Sequence, residues 1–180
     1  MLGVSNYLQG KILNSLSYSK SGVVATSYND DGIVRGQGHA IASSVTIAGS
    51  TTINFLLDLS GVDEDKFVFV LPVSVNSGTE DVKLMVYEST DYSGGTPVTT
   101  FNPNRNSSDT KQFAITAGAT GSAKGSALIE RHAFSSKHFS SESSSYSFLI
   151  LDKTKNYLVE LENLGNAATI VDYSTVIYES

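Results

Sequence analysis

The sequence contains no cysteine and no tryptophan, and it has only three prolines among 180 residues. Without cysteine the chain can form no disulfide framework, thiolate metal site or cysteine nucleophile, and this composition fits a protein that matures in a reducing cytoplasm. Long apolar runs are also missing: the longest, residues 67–71, is far shorter than the ~20 residues that a membrane-spanning helix needs. The first residues show no basic leader followed by an apolar stretch, so we expect neither a secretion signal nor a membrane partner.

Positive charge is scarce as well. The chain has 18 acidic residues against 12 lysines and arginines, which gives a formal net charge of −6. The field of such a surface repels phosphate backbones and anionic lipids, so we expect no nucleic-acid partner. A length of 180 residues suits one domain with a core that buries roughly 70% of the surface of the unfolded chain.

The first segment has the spacing of a helix rather than that of a strand. Apolar residues recur there every three to five positions: Tyr7, Leu8, Ile12, Leu13 and Leu16. This stripe predicts a short amphipathic helix within an N-terminal arm of residues 1–22, with Ser5 as its N-cap. Gly10 lowers the stability of such a helix by about 1 kcal/mol relative to alanine, so the helix needs a surface on which to pack. That surface is either the chain's own domain or a neighbouring subunit, which makes Tyr7, Leu8, Ile12 and Leu16 candidate interface residues.

From Val23 onward the apolar period changes to two, which is typical of strands with one buried face. The clearest cases are STTINFLLDL (residues 50–59) and EDVKLMVYES (residues 80–89). Pro72 interrupts an apolar run and predicts an edge position or a bulge there. About nine or ten short strands, separated by Gly, Asn, Asp and Ser turns, predict an antiparallel β-sandwich of jelly-roll type, a single domain over residues 23–180. A parallel α/β fold would need helical crossovers, which the pattern does not offer.

Three groups of residues could carry chemistry, and each has a simpler structural interpretation. GATGSAKGS (residues 118–126) resembles a phosphate-binding loop, but Lys124 precedes the last glycine instead of following it, so we predict a turn loop. The acidic turns at residues 29–32 and 62–65 lack the alternating oxygen ligands that calcium binds. No G-x-S-x-G elbow marks a nucleophile, and we predict no enzyme, no metal and no cofactor. The histidines also lack the regular spacing of a zinc site: they are His39, His132 and His138.

The stretch GGTPVTTFNPNRNSS (residues 94–108), called the signature loop below, contains two prolines and a single arginine. Its asparagines favour an irregular loop, because their side chains can bond backbone groups two residues further on. Arg105 carries donors in a planar fork and has two alternative roles. It either ties down the loop's own carbonyls or a carboxylate such as Glu88 or Asp91, or it reaches a partner protein. The candidate loop-structuring or interface residues are therefore Asn102, Asn104, Arg105 and Asn106.

Several of these segments together form a familiar pattern. A strand ending in Tyr87-Glu88 leads to a Gly-Gly-Thr turn at residues 94–96 and to an Asn-x-Asn-Arg-x-Ser loop at residues 102–107. Near the C-terminus, KNYLVELENL (residues 155–164) precedes a closing strand that ends in Tyr178-Glu179. This pattern, over residues 50–180, resembles a family of tailed-bacteriophage head decoration (cement) proteins.

The resemblance implies a non-enzymatic virion protein on the outside of the capsid shell, synthesised in the host cytoplasm. Its partners would be the major capsid protein and further copies of itself, commonly in trimers. One alternative is a carbohydrate-binding adhesion module on a virion fibre or tail, because nine tyrosines offer aromatic platforms, although the lack of tryptophan weakens it. The other alternative is an enzyme such as a glycan depolymerase, for which the residues mark no reaction centre.

Overall fold

The computed structural model describes residues 16–19, 22–25, 35, 37–70, 73–108, 110–135 and 149–179. These residues form thirteen strands and no helix. Within this described part, there is accordingly no helix that is long and apolar enough to cross a membrane. The strands are β1 (Leu16–Ser19), β2 (Gly22–Ala25), β3 (Gly38–Ile47), β4 (Thr52–Asp58), β5 (Val68–Val70), β6 (Ser74–Ser77), β7 (Val82–Glu88), β8 (Thr96–Pro97), β9 (Ala114–Ala117), β10 (Ser126–Ala133), β11 (Leu149–Leu151), β12 (Tyr157–Asn163) and β13 (Thr169–Glu179).

The strands form two main sheets and one separate hairpin. The six-stranded sheet has the order β10-β7-β12-β4-β9-β8, and the five-stranded sheet contains β11-β5-β13-β3 with β6 also paired to β13. Strands β1 and β2 pair only with each other among the described strands. All ladders between these strands are antiparallel. The predicted all-β fold with antiparallel sheets is confirmed, whereas the jelly-roll type stays a prediction.

The two main sheets pack against each other through two clusters of buried side chains. The first cluster comprises Ile41, Leu57, Leu59, Val62, Val68, Phe113, Ile115, Leu151, Tyr157 and Ile177. The second comprises Ile47, Val82, Leu84, Leu161 and Val171. Because each cluster draws side chains from both sheets, the apolar faces that the period of two predicts for β4 and β7 form the inside of a sandwich.

Strands β5 and β6 follow one another along β13 with one extra residue between them. Val70 pairs with Ile177, and Ser74 pairs with Ser174. Four residue steps from 70 to 74 therefore correspond to three from 174 to 177 on β13. The sequence predicts a bulge or an edge at this point because of Pro72, which itself lies outside the described residues.

The predicted N-terminal helix lies outside the described residues except at its last apolar position. Leu16 begins strand β1 instead, and its backbone pairs with Ala25 of β2. The segment LSYS (residues 16–19) alternates apolar residues with serine, and this period of two fits a strand better than a helix. The helix prediction is therefore wrong at Leu16, and the predicted boundary between residues 22 and 23 falls inside β2. The remaining arm candidates, Tyr7, Leu8 and Ile12, lie outside the described residues.

Asn163, at the end of β12, fixes the connection to β13. Its side chain is 1% exposed. Its Nδ2 donates to the carbonyl oxygens of Ile47 (3.1 Å), Ala48 (3.2 Å) and Ala167 (2.8 Å), while its Oδ1 accepts from the backbone N–H of Gly165 (2.9 Å). One buried amide therefore bonds backbone groups of both the β3–β4 and the β12–β13 connections. An ionised carboxylate has no donor for the carbonyl oxygens, and an alkyl group has neither donor nor acceptor.

We predict that Asn163→Asp and Asn163→Ala each lower the free energy of unfolding by about 2–3 kcal/mol, because carbonyl oxygens lose their buried donor. The loss in Asn163→Asp grows as the pH rises above about 4, since burial near carbonyl oxygens opposes ionisation of the new carboxyl. Urea unfolding of the full chain measures both effects. The exposed neighbour Glu162→Ala serves as the control, with an expected change within about 0.5 kcal/mol. Equal stability of all three variants would contradict the role assigned to Asn163.

Candidate functional site

The signature loop fastens the two sheets to each other along one side of the sandwich. Its strand β8 pairs with β9, and the backbone N–H of Val98 donates to the carbonyl of Ile115 (2.9 Å), both in the six-stranded sheet. Three residues later, Phe101 exchanges two backbone hydrogen bonds with Ala40 of β3 (2.8 and 3.0 Å). Strand β3 is the last strand of the five-stranded sheet. The loop therefore crosses from the edge of one sheet to the edge of the other and occupies backbone groups that an open edge would expose.

Asparagine side chains shape the part of the loop that follows Phe101. The backbone N–H of Asn104 donates to Asn102 Oδ1 (2.9 Å), and the backbone N–H of Asn106 donates to Asn104 Oδ1 (3.1 Å). The backbone N–H of Ser107 also donates to the Asn104 carbonyl (3.0 Å). Two successive Asx turns and a backbone turn thus hold residues 102–107 in one conformation without regular secondary structure.

Arg105 stands between these turns and is exposed. Its side chain makes no hydrogen bond or ion pair with any described residue. The two carboxylates that the sequence offers as intramolecular partners are engaged elsewhere. Glu88 Oε2 lies 3.2 Å from Lys155 Nζ, and Asp91 Oδ1 accepts the backbone N–H of Ser122 (2.9 Å). Within the described part of the chain, the guanidinium therefore does not hold the loop to its own sandwich.

This isolation distinguishes Arg105 from the lysines. The six lysines with described side chains each contact an oxygen acceptor or an aromatic ring: Lys66, Lys83, Lys111, Lys124, Lys153 and Lys155. Arg131, on the edge strand β10, is the one other cation for which the described residues supply no such contact. Phe101, four residues before Arg105 in the same loop, is 44% exposed. The signature loop therefore presents a cation and an apolar ring from a fixed backbone.

Two residues of the closing strand fix the segment that follows the signature loop. Glu179 is 5% exposed, and its Oε1 accepts the backbone N–H groups of Gln112 (2.8 Å) and Phe113 (3.2 Å). Tyr178 is fully buried, and its ring lies over Gly38, where an added Cβ would stand 3.0 Å from Tyr178 Cε1. Tyr178 and Glu179 are thus structural residues in this fold.

A second group of polar residues lies on the outer face of the six-stranded sheet. Leu158 and Glu160 point away from the core by the alternation of β12, yet they are 0% and 6% exposed. The loops of residues 89–95 and 118–125 lie over this face, since Asn54 Nδ2 on β4 donates to the carbonyl of Ala119 (3.1 Å). The two loops also exchange backbone hydrogen bonds between Ser93 and Thr120 (3.0 and 3.1 Å).

Lys124 neutralises the buried carboxylate on this face. Its Nζ lies 2.8 Å from Glu160 Oε2 and 5.6 Å from the centre of the Tyr87 ring. The hydrogen bond to Glu160 raises the pKa of Lys124 above its ordinary value, and burial of the ammonium opposes this rise. The predicted turn loop at residues 118–126 is present, and Gly118 (φ 72°) and Gly125 (φ 87°) adopt the left-handed conformations that it needs. Lys124 of this loop binds the carboxylate of Glu160.

The sequence did not single out Glu160, because alternation in YLVELEN predicts an exposed position. The available signal was Leu158, an apolar residue on the same face. An apolar residue on the polar face of a strand indicates that something covers that face. The covering loops come from distant parts of the sequence, so their contact with β12 follows from tertiary structure.

Two of the histidines and the acidic turn of residues 62–65 lie among the described residues, whereas the acidic turn of residues 29–32 lies outside them. His39 is buried edge-on against Phe113, with ring centres 5.7 Å apart, while His132 is exposed beside Glu130 at 3.5 Å. His138 lies outside the described residues. In the ranges that the structure describes, no three His, Cys, Asp or Glu side chains come together to hold a metal ion.

The outer face of the five-stranded sheet has a shallow depression of about 290 Å³. Its lining residues are Ala42, Ser43, Ser44, Asn76, Asp172, Tyr173 and Ser174. Asp172 accepts a hydrogen bond from Ser44, and Tyr173 packs inward on Phe55 with ring centres 5.0 Å apart. The depression therefore offers small polar groups on an open surface.

Compared with known proteins, the chain matches no protein-family model and no curated protein.

We predict that Lys124→Met lowers the free energy of unfolding by about 1–2 kcal/mol, because it leaves Glu160 buried without a counter-charge. The effect is smaller than the roughly 3–5 kcal/mol of a fully buried pair, since the solvent around a half-exposed lysine screens the interaction. Urea unfolding at neutral pH measures it, and Glu160→Gln in the same chain should restore most of the loss. Lys83→Met is the matched control, because its partner Glu130 is 53% exposed. Equal losses in Lys124→Met and Lys83→Met would contradict this assignment.

The ion pair of Lys124 and Glu160 predicts that the folded chain loses stability at alkaline pH. The pKa of Lys124 is higher in the folded than in the unfolded chain, so its contribution is complete below the ordinary value of 10.5 and is lost as the pH rises through the folded pKa. The difference in unfolding free energy between wild type and Lys124→Met should stay constant between about pH 7 and 9 and shrink above about pH 10.5. A difference that grows with pH would contradict the sign of the shift.

Proposed function

We propose that the chain is a non-enzymatic bacteriophage virion protein that decorates and stabilises the outer surface of the capsid. It acts by contacting the major capsid protein and neighbouring copies of itself, as a trimer. The observation that carries the proposal is the signature loop, which fixes its own backbone with Asx turns and leaves Arg105 exposed without an acceptor among the described residues. A loop built in this way presents a binding surface, whereas an internal tie would engage its arginine.

The family pattern supports the same proposal, because its elements have structural roles in this sandwich. The signature loop joins the two sheets, KNYLVELENL (residues 155–164) contains the central strand β12, and Tyr178-Glu179 closes β13. A net charge of −6 also suits an outer surface, since an acidic protein is repelled by the packaged DNA on the inside of a capsid.

We further propose that the sandwich has jelly-roll connectivity, an architecture used by viral capsid domains. The support is the repeated crossing of the chain between the sheets. Strands β3, β5, β6, β11 and β13 belong to the five-stranded sheet, and β4, β7 to β10 and β12 belong to the six-stranded sheet. The chain therefore crosses between sheets after β3, β4, β6, β10, β11 and β12.

The carbohydrate-binding alternative needs exposed aromatic platforms. Five tyrosines have described side chains, and all of them are buried or half-buried: Tyr87, Tyr92, Tyr157, Tyr173 and Tyr178. Those tyrosines are therefore poor platforms for sugar rings, and the capsid proposal is the better supported of the two.

Cryo-electron microscopy of virions of the phage that encodes this chain tests the proposal. We expect density for the sandwich on the outside of the shell, and a trimer in a mass measurement of the purified protein. Particles that lack the protein should lose DNA at a lower temperature than wild-type particles, and added purified protein should restore the wild-type temperature. A tail location, or absence of the protein from virions, would overturn the proposal.

A further inference from the structure

A second loop at one end of the sandwich presents unpaired charge of the opposite sign. The acidic loop of residues 62–65 connects β4 to β5, and its Glu64 and Asp65 are exposed. Neither of these two side chains makes a hydrogen bond or an ion pair with a described residue. Phe67, two residues after this loop, is 58% exposed. Two carboxylates and an apolar ring are therefore exposed within residues 64–67.

Side-chain hydrogen bonds hold the backbone of the acidic loop, as they hold that of the signature loop. Lys153 Nζ donates to the carbonyl oxygens of Asp63 (2.7 Å) and Glu64 (2.6 Å). Gln112 bonds Asp63 twice, accepting its backbone N–H (3.1 Å) and donating to its carboxylate (2.7 Å). The backbone at Asp63 and Glu64 is thus held by neighbours, while the charges of Glu64 and Asp65 have no partner among the described residues.

The two loops are complementary but do not pair within one chain. Each combines a fixed backbone, unpaired charge and an exposed phenylalanine. Arg105 makes no ion pair with Glu64 or Asp65 in the described structure, although Gln112, seven residues after Arg105, already touches the acidic loop. The signature loop of one copy can contact the acidic loop of a second copy.

We propose that Arg105 of one copy binds Glu64 and Asp65 of a second copy of this chain. The inference rests on the intersubunit contacts of the proposed function and assigns residues to one of them. The planar guanidinium can bond a carboxylate through two parallel N–H groups, which sets the orientation of the contact as well as its strength. Phe101 and Phe67, beside the charges, add apolar surface that association removes from water. Head-to-tail contacts of this kind form closed rings when the rotation between copies closes.

A charge exchange in the purified full chain tests this contact. Arg105→Glu should weaken self-association at least about tenfold in dissociation constant, because like charges then face each other. The double variant Glu64→Arg with Asp65→Arg should weaken it similarly. The combination of all three substitutions should return the dissociation constant to within about threefold of wild type, since the charges are exchanged and the contact is kept. Sedimentation equilibrium measures the constants, and circular dichroism shows that each variant is folded.

Matched controls separate the contact from net charge. Arg131→Glu changes the same residue type on β10, at the opposite edge of the six-stranded sheet from β8, and Glu162→Arg reverses an exposed carboxylate on β12. We expect neither control to change self-association. A wild-type chain that remains monomeric, or an Arg105→Glu variant that associates like wild type, overturns the inference.

Failure of this inference can be told apart from failure of the proposed function. An Arg105→Glu variant that self-associates normally but no longer binds capsid shells would show that Arg105 faces the capsid protein, which overturns the inference and keeps the proposed function. Conversely, charge-dependent self-association of a chain that is absent from virions would keep the inference and remove the proposed function.

Discussion

Strand β13 is the element on which the rest of the sandwich depends. It pairs along ten residues with β3 on one side and with β5 and β6 on the other, so it supplies the hydrogen bonds of most of the five-stranded sheet. Buried polar side chains fasten both of its ends. Thr169 Oγ1 accepts the backbone N–H groups of Thr79 (3.0 Å) and Glu80 (3.3 Å), and Glu179 accepts two backbone N–H groups of the segment after the signature loop. Because a buried N–H without a partner costs about 1–3 kcal/mol, these side chains determine where the adjoining loops lie.

Acidic side chains hold backbone segments or lysines elsewhere in the sandwich as well. Three carboxylates are occupied by backbone N–H groups or a lysine: Asp91 binds Ser122, Glu160 binds Lys124, and Glu179 binds backbone. Such charges serve the fold, and their removal should act on stability. Arg105 differs, because its loop is shaped by Asn102 and Asn104 and its guanidinium has no acceptor in the described part of the chain. Its removal should leave the fold intact, and the proposed function assigns this arginine to contact with another molecule.

The sequence predicts those features that depend on residues close together in the chain. The period of two predicts β4 and β7 with their buried faces, and asparagine chemistry predicts an irregular signature loop. Two of the three misses have tertiary causes, and the third, at Leu16, has a local cause. Glu160 is buried because loops remote in sequence cover it, and the bridge from Phe101 to Ala40 joins residues 61 positions apart. Leu16 was assigned to a helix because spacings of three to five also occur by chance beside a segment that alternates.

The fixed shape of the signature loop also bears on how tightly it can bind. A flexible loop must be ordered on association, at about 0.5–1.5 kcal/mol for each mobile side chain, and that cost reduces the affinity that the contacts provide. In residues 102–107 the backbone is already ordered by two side-chain acceptors and by the pairing of Phe101 with β3. Association therefore has to order little more than the Arg105 side chain itself. A single arginine at the surface contributes little when it is mobile. In the proposed contact with Glu64 and Asp65, an arginine on a preordered backbone can determine which partner is bound and in which orientation.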